Sequence, residues 1–141
     1  MGKWAQGIFT PKNPKKYVGN HSPRYRSGWE LTFMTFCDSN DNIIYWASEA
    51  LRIPYKHPLT GKPTIYVPDF FVVYKNKYGK QVAEVVEIKP KKQSIIESKV
   101  TNVKDRIVVA INHAKWAACS AYCKRQGYTF RVVTEDDLFR K

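Results

Sequence analysis

Tyr66-Val67-Pro68-Asp69-Phe70-Phe71-Val72-Val73-Tyr74 and Val82-Ala83-Glu84-Val85-Val86-Glu87-Ile88-Lys89 are two runs rich in β-branched and aromatic residues, separated by a polar connection containing Gly79. They read as the strands of an antiparallel hairpin. A three-residue loop Lys77-Tyr78-Gly79, with glycine in the left-handed third position, pairs Asn76 with Lys80 and Tyr74 with Val82. Counting back places Asp69 opposite Glu87, barring a bulge that would shift the register by one. Opposed residues share a face with Cβ atoms about 4.5–5.5 Å apart. Residues two apart in a strand also share a face, so Glu87 and Lys89 project together while Ile88 turns away.

Two carboxylates at that range repel unless something positive lies between them. A divalent cation answers the need, because Mg²⁺ takes hard oxygen ligands from one or two carboxylates, waters and a phosphate. Asp69 and Glu87 suit it, with the Ile88 backbone carbonyl as a third protein oxygen, and Lys89 can hold a water or developing negative charge. A solvated strand face explains Glu87 and Lys89 equally well, since Glu-x-Lys is common. Asp69 between Pro68 and two phenylalanines is harder to explain by solvation, because a carboxylate in so apolar a strand needs a partner.

Upstream, Ser27 with Glu30 three residues on is a capping-box pattern, followed by Leu31, Phe33, Met34 and Phe36 at helical spacing, and predicts a helix over about 28–37. Capping is a sufficient reason for Glu30. Ile43 to Ala47 and Leu51 to Tyr55 read as extended pieces, and His57 to Lys62 as a loop. Downstream of Pro90, a long helix over about 103–125 carries Ile107, Ile111, Ala114, Ala118 and Ala121 on one stripe and stops at Gly127. Thr129 to Val133 makes a last strand, and Thr134 to Leu138 a capped short helix. Glu84, on the face opposite Glu87, reads as a surface or strand-edge residue. His21, His57 and His113 have no partner at metal or general-base spacing.

From Met1 to Trp29 there are six basic residues and no acid, interleaved with Trp4, Phe9, Tyr17 and Tyr25. Pro11, Pro14, Gly19 and Pro23 rule out a long regular element, so residues 1–26 read as a basic aromatic arm, lying over the domain or along a ligand, before a single domain over 27–141. The whole chain of 141 residues has 24 Lys+Arg against 12 Asp+Glu, a net charge of +12, which attracts phosphate polyanions and makes nucleic acid the default partner. Lys12, Lys15, Lys16, Arg24, Arg26, Lys91 and Lys92 are the candidate phosphate contacts. No apolar run reaches the length of a spanning helix and no leader is visible, so a soluble, unprocessed protein is expected. Cys37, Cys119 and Cys123 are too few for a disulfide framework and fit a reducing compartment, the last two as small helix residues.

Pro68-Asp69 followed by Glu87-Ile88-Lys89 resembles the PD-(D/E)xK nuclease superfamily. More closely the chain is similar to the head-completion nuclease family of tailed phages, and more distantly to the endonuclease subunit of heteromeric transposases. The matching stretches are Gly2-Lys3-Trp4, Tyr25-Arg26-Ser27-Gly28-Trp29-Glu30, Trp46 with Ser48-Glu49, Ile53-Pro54-Tyr55, Tyr66 with Pro68-Asp69-Phe70, Glu87 through Lys92, Lys115 through Ala118, and Thr134-Glu135-Asp136. The resemblance implies an α/β, restriction-endonuclease-like core, a mixed β-sheet flanked by helices. It also implies cleavage of DNA with Mg²⁺ (Mn²⁺ substituting) and places Glu30 in the site as the first-helix carboxylate, reversing the capping reading. Glu49 carries no implied role and reads as structural. The implied setting is the infected bacterial cytoplasm and the phage head, around the packaged DNA end or the portal. Two alternatives stand beside this: a non-catalytic DNA-end or portal-binding head protein, and a repair or recombination junction nuclease.

Overall fold

A computed structural model describes residues 6–93 and 102–138; the Gly2-Lys3-Trp4 stretch lies outside them. Ser27 opens the first helix, α1 (Gly28–Ser39), its hydroxyl accepting the Glu30 N–H at 3.2 Å. Asn40 to Asn42 turn the chain into β3 (Ile43–Ser48), which pairs antiparallel with β6 (Phe70–Lys75). β6 forms the expected hairpin with β7 (Gln81–Ile88), from Phe70 opposite Val86 to Lys75 opposite Gln81, with Gly79 at φ +75°. The Asn76 N–H donates to the Lys80 carbonyl at 2.9 Å, closing the turn in the counted register.

Beyond β7 the chain crosses over through α2 (Val103–Gln126) to β8 (Thr129–Val133), parallel to β7. Parallel neighbours require a connection of about a dozen residues or more, and the long helix supplies it. Gly127, at φ +78°, ends α2, and Thr134 caps α3 (Glu135–Leu138) through its hydroxyl and the Asp136 N–H. The central sheet thus runs β3-β6-β7-β8. α1 packs Phe33, Met34 and Cys37 on one face, against Trp46, Phe70, Val72, Val86 and Ile88; α2 packs Trp116, Cys119 and Cys123 on the other, against Val85. Helix, mixed sheet and helix form three layers of an α/β fold. Among the described residues no helix is long and apolar enough to cross a membrane.

Three expectations change. The run Tyr66–Tyr74 is not one strand: Val67 to Asp69 interrupt it, and Tyr66 ends β5 (Pro63–Tyr66), which pairs with β4 (Ile53–Lys56) in a separate ribbon. Pro68 has no N–H for a ladder, which fits a break there. The buried stripe of α2 is Val109, Asn112, Trp116, Cys119 and Cys123, while Ile107 and Ala121 are exposed. Tryptophan and the two thiols, with more area to bury than alanine, set the helix rotation. Glu84 is buried, paired to Arg131 at 3.2 Å and accepting the Thr129 hydroxyl at 3.1 Å.

The described part of the arm lies over the domain, one of the two placements expected for it. β1 (Gly7–Ile8) pairs with β2 (Arg24–Tyr25), and the rings of Phe9 and Tyr17 meet buried Trp46 edge-on at 5.8 and 4.7 Å. Lys12 and Asn13 N–H groups donate to the Asp38 carboxylate, and the Lys16 ammonium donates to the Asp38 and Asn40 carbonyls. A cation there satisfies orphan carbonyls at the negative end of α1.

Candidate active site

Element lengths bring the candidate residues to one end of the sheet. α1 is 12 residues, about 18 Å at helical rise, and β3 is 6, about 20 Å at strand rise. After the turn at Asn40–Asn42, the start of α1 lies level with the end of β3. β6 begins and β7 ends at that same edge. Glu30, Glu49, Asp69, Glu87 and Lys89 therefore gather from four chain segments.

Asp69 and Glu87 each hold a backbone N–H of the other's segment. The Asp69 N–H donates to Glu87 Oε1 at 3.3 Å, and the Ile88 N–H donates to Asp69 Oδ2 at 2.7 Å. Lys89 Nζ is 3.8 Å from Glu87 Oε2. Burial pushes the Asp69 carboxyl well above the usual carboxylate range, and the charge of Glu87 pushes it further. Burial also raises Glu87, although Lys89, Tyr66 and the Asp69 N–H favour its charged form. The Tyr66 hydroxyl is buried near Glu87 but completes no hydrogen bond of good geometry among the described residues. Raised carboxyls mean that two buried negative charges lack a full counter-charge, which is the electrostatic setting for a bound cation.

Glu30 sits beside them. Its carboxyl is raised to about 7, first by burial, then by Asp69 and Glu49, against the Arg26 N–H that it accepts at 3.1 Å. The capping box is therefore half-formed: Ser27 caps Glu30's N–H, but Glu30 reaches back to Arg26 and not to Ser27. Glu49, read from sequence as structural, belongs to this cluster. It has a left-handed φ of +50°, its N–H donates to the Asp69 carbonyl, and its carboxylate pairs with Arg26 at 3.2 Å. Left-handed backbone is uncommon outside glycine and marks a locally imposed position. Its only sequence signal was proximity to Ser48 in a matching stretch.

Lys115, on α2, stands in a matching stretch that carries no implied role. Its amine is half-buried over the Tyr66 ring at 5.7 Å. Burial and then Lys89 lower its pKa, while Glu87 and Asp69 raise it.

The phosphate-contact candidates divide. Lys16 serves the end of α1, Arg26 is paired to Glu49, and Lys91 is tied to α3 through its N–H to Glu135 and its ammonium to Asp136. Lys12, Lys15, Arg24 and Lys92 have exposed side chains. Among the described residues no three His, Cys, Asp or Glu side chains group as a side-chain-only metal site. Two carboxylates with a backbone oxygen, waters and substrate oxygens is instead a donor set that fits Mg²⁺. The His57 ring accepts the Leu59 N–H in its loop, and His113 packs near Trp116.

A family model described as TnsA-like endonuclease N terminal matches residues 40–135. The chain is also 35% identical to the head completion nuclease of Enterobacteria phage T4, over 97% of this chain and 92% of that protein. The family segment contains β3 through β8, with Asp69, Glu87 and Lys89, and the mixed sheet between helices is the restriction-endonuclease-like arrangement. This chain belongs to the TnsA-like endonuclease N-terminal family.

Proposed function

We propose that this protein is a Mg²⁺-dependent endodeoxyribonuclease that acts in phage head completion. The observation that carries the reading is the pair of half-buried Asp69 and buried Glu87, each carboxylate accepting a backbone N–H, from Ile88 and from Asp69 respectively, with Lys89 beside them, on a chain of net charge +12. Asp69 and Glu87, with the Ile88 carbonyl, would hold the cation, and Glu30 would complete the negative wall. The bound ion would supply Lewis-acid polarisation of the phosphate and a water of lowered pKa. Lys89 orients a water or the non-bridging phosphate oxygen next to Glu87, and Tyr66 closes the apolar side against bulk solvent. The name of the phage T4 relative supports the setting, the infected cell and the phage head, with portal or head proteins as further partners.

The test is incubation of the protein with linear, supercoiled and branched DNA, with Mg²⁺ or with chelator. Cutting that needs the cation and is lost in Asp69→Asn is expected. DNA binding without cutting in any divalent ion would replace the reading with a DNA-end-binding head protein, and preference for branched DNA would favour a junction nuclease.

A further inference from the structure

We infer that Lys115 is a further member of the site and binds an oxygen of the scissile phosphate from the α2 side. The inference deepens the nuclease reading and rests on it.

Two contacts of α2 place Lys115 there, and an electrostatic effect agrees with them. Asn112, one turn earlier on α2 and buried, donates through Nδ2 to the Gln93 carbonyl at 3.1 Å, which pins this part of the helix beside the segment leaving β7 four residues after Lys89. Trp116, the next residue, packs with Tyr66 and Val85, so the helix lies over the site-bearing strand. Cys119, one turn on and on the same side as Lys115, is close enough to Glu87 that the carboxylate charge helps raise its thiol pKa after burial. The Lys115 amine sits between these positions, above the Tyr66 ring.

A buried amine normally finds a carboxylate. Lys115 forms no ion pair among the described residues, although Asp69 and Glu87 are both near. Lys89 occupies the carboxylate side already, at 3.8 Å from Glu87. A second ammonium that forms no ion pair with the carboxylates, half-buried over an aromatic ring, is poised for an anion that arrives later. The anion that the proposed reaction brings is a phosphodiester, whose negative charge increases as the bond to the leaving oxygen breaks. A fixed ammonium in a water-poor site stabilises that change more than it stabilises the bound substrate.

The experiment compares wild type, Lys115→Met, Lys115→Arg and Asp69→Asn in single-turnover cutting of DNA with Mg²⁺ across pH, with thermal melts and DNA binding in Ca²⁺. Lys115→Met is expected to lose about 100-fold or more in plateau rate, the scale of removing one transition-state donor, with an unchanged melt and nearly unchanged DNA binding. Lys115→Arg should recover part of the rate. If Lys115→Met cuts as fast as wild type at the plateau and only its acid limb moves, the lysine is a counter-ion for the carboxylates and the inference fails while the nuclease reading stands. A Lys115→Met that loses rate only in proportion to lost folded protein, with Lys115→Arg no better, overturns it in the same way. If Asp69→Asn cuts like wild type, the nuclease site itself is misassigned.

Discussion

Strand β7 buries two glutamates three residues apart, and they could hardly be treated more differently. Glu84, on the α1 face, meets a guanidinium at 3.2 Å and a hydroxyl at 3.1 Å, both from β8. Glu87, on the α2 face, meets a second carboxylate, a backbone N–H and an ammonium at 3.8 Å. The first is a cross-strand clasp whose charge is answered within the fold. The second is a charge left partly unanswered, beside Asp69, whose own charge together with that of Glu49 raises Glu30. Burial alone does not mark a working carboxylate; burial among like charges does.

Exchanging the two carboxyls for amides breaks the comparison most directly. Glu87→Gln should lower cutting by about 100-fold or more, the scale of losing a group that acts at the reacting phosphate. In chelator it should melt at or above wild type, because the amide oxygen still accepts the Asp69 N–H and the repulsion is gone. Glu84→Gln should do the reverse, losing about 1–3 kcal/mol of stability by weakening a bond to a charged group, while each folded molecule cuts normally. Kinetics and melts of the two variants side by side decide it; equal loss of activity in both would erase the distinction.

A smaller effect sharpens the same contrast through pH. Glu30 keeps its proton up to about pH 7 in the folded chain, whereas its ordinary value is 4.5. Between those values the unfolded chain has released a proton that the folded chain retains, so raising pH favours unfolding. Asp69 and Glu87 are raised as well and act in the same direction. Melting temperature in chelator should therefore fall as pH rises from about 4.5 to 7, and Mg²⁺ should flatten the fall. Glu30→Gln should remove part of the slope and cut poorly, while Glu30→Ala should also lose about 0.5–1.5 kcal/mol with the hydrogen bond from the Arg26 N–H. A melting temperature that climbs through this window would contradict the charge accounting, and an active Glu30→Gln would confine the site to Asp69, Glu87 and Lys89.

What was legible in the sequence follows from range. Gly79 sets the turn and the turn sets the register, so the convergence of Asp69 with Glu87 could be counted from one short loop. Ser27 and Gly127 announced helix ends because capping is local. Glu84 was misread because its partners, Thr129 and Arg131, come from a parallel strand that only a long crossover brings beside it. The α2 stripe was misassigned because small apolar residues stand on several sides of that helix, and the choice among them is made by Trp116 and the thiols meeting Tyr66 and Val85. Glu49 and Lys115 carry no local pattern. Their places depend on the end of β3 and on the angle at which α2 crosses the sheet.

The lysines repeat the lesson of the glutamates at the smallest scale. Lys16 and Lys15 are adjacent and equally charged, but the Lys16 ammonium is bonded to two carbonyls at the end of α1 while Lys15 is exposed. Deleting the whole arm would not separate DNA contact from folding, since the deletion removes the cover of Trp46. Single neutralisations do separate them. Each exposed cation that touches phosphate contributes about 0.9 to the slope of log affinity against log salt. Lys12→Gln, Lys15→Gln, Arg24→Gln and Lys92→Gln, measured by titration over a salt series, should each flatten the slope by up to that amount with little change in melting. Lys16→Gln should instead leave the slope alone and cost about 1 kcal/mol of stability. A flattened slope in Lys16→Gln, with the exposed set silent, would mean that the ammonium leaves α1 for the DNA and that the arm rearranges when DNA binds.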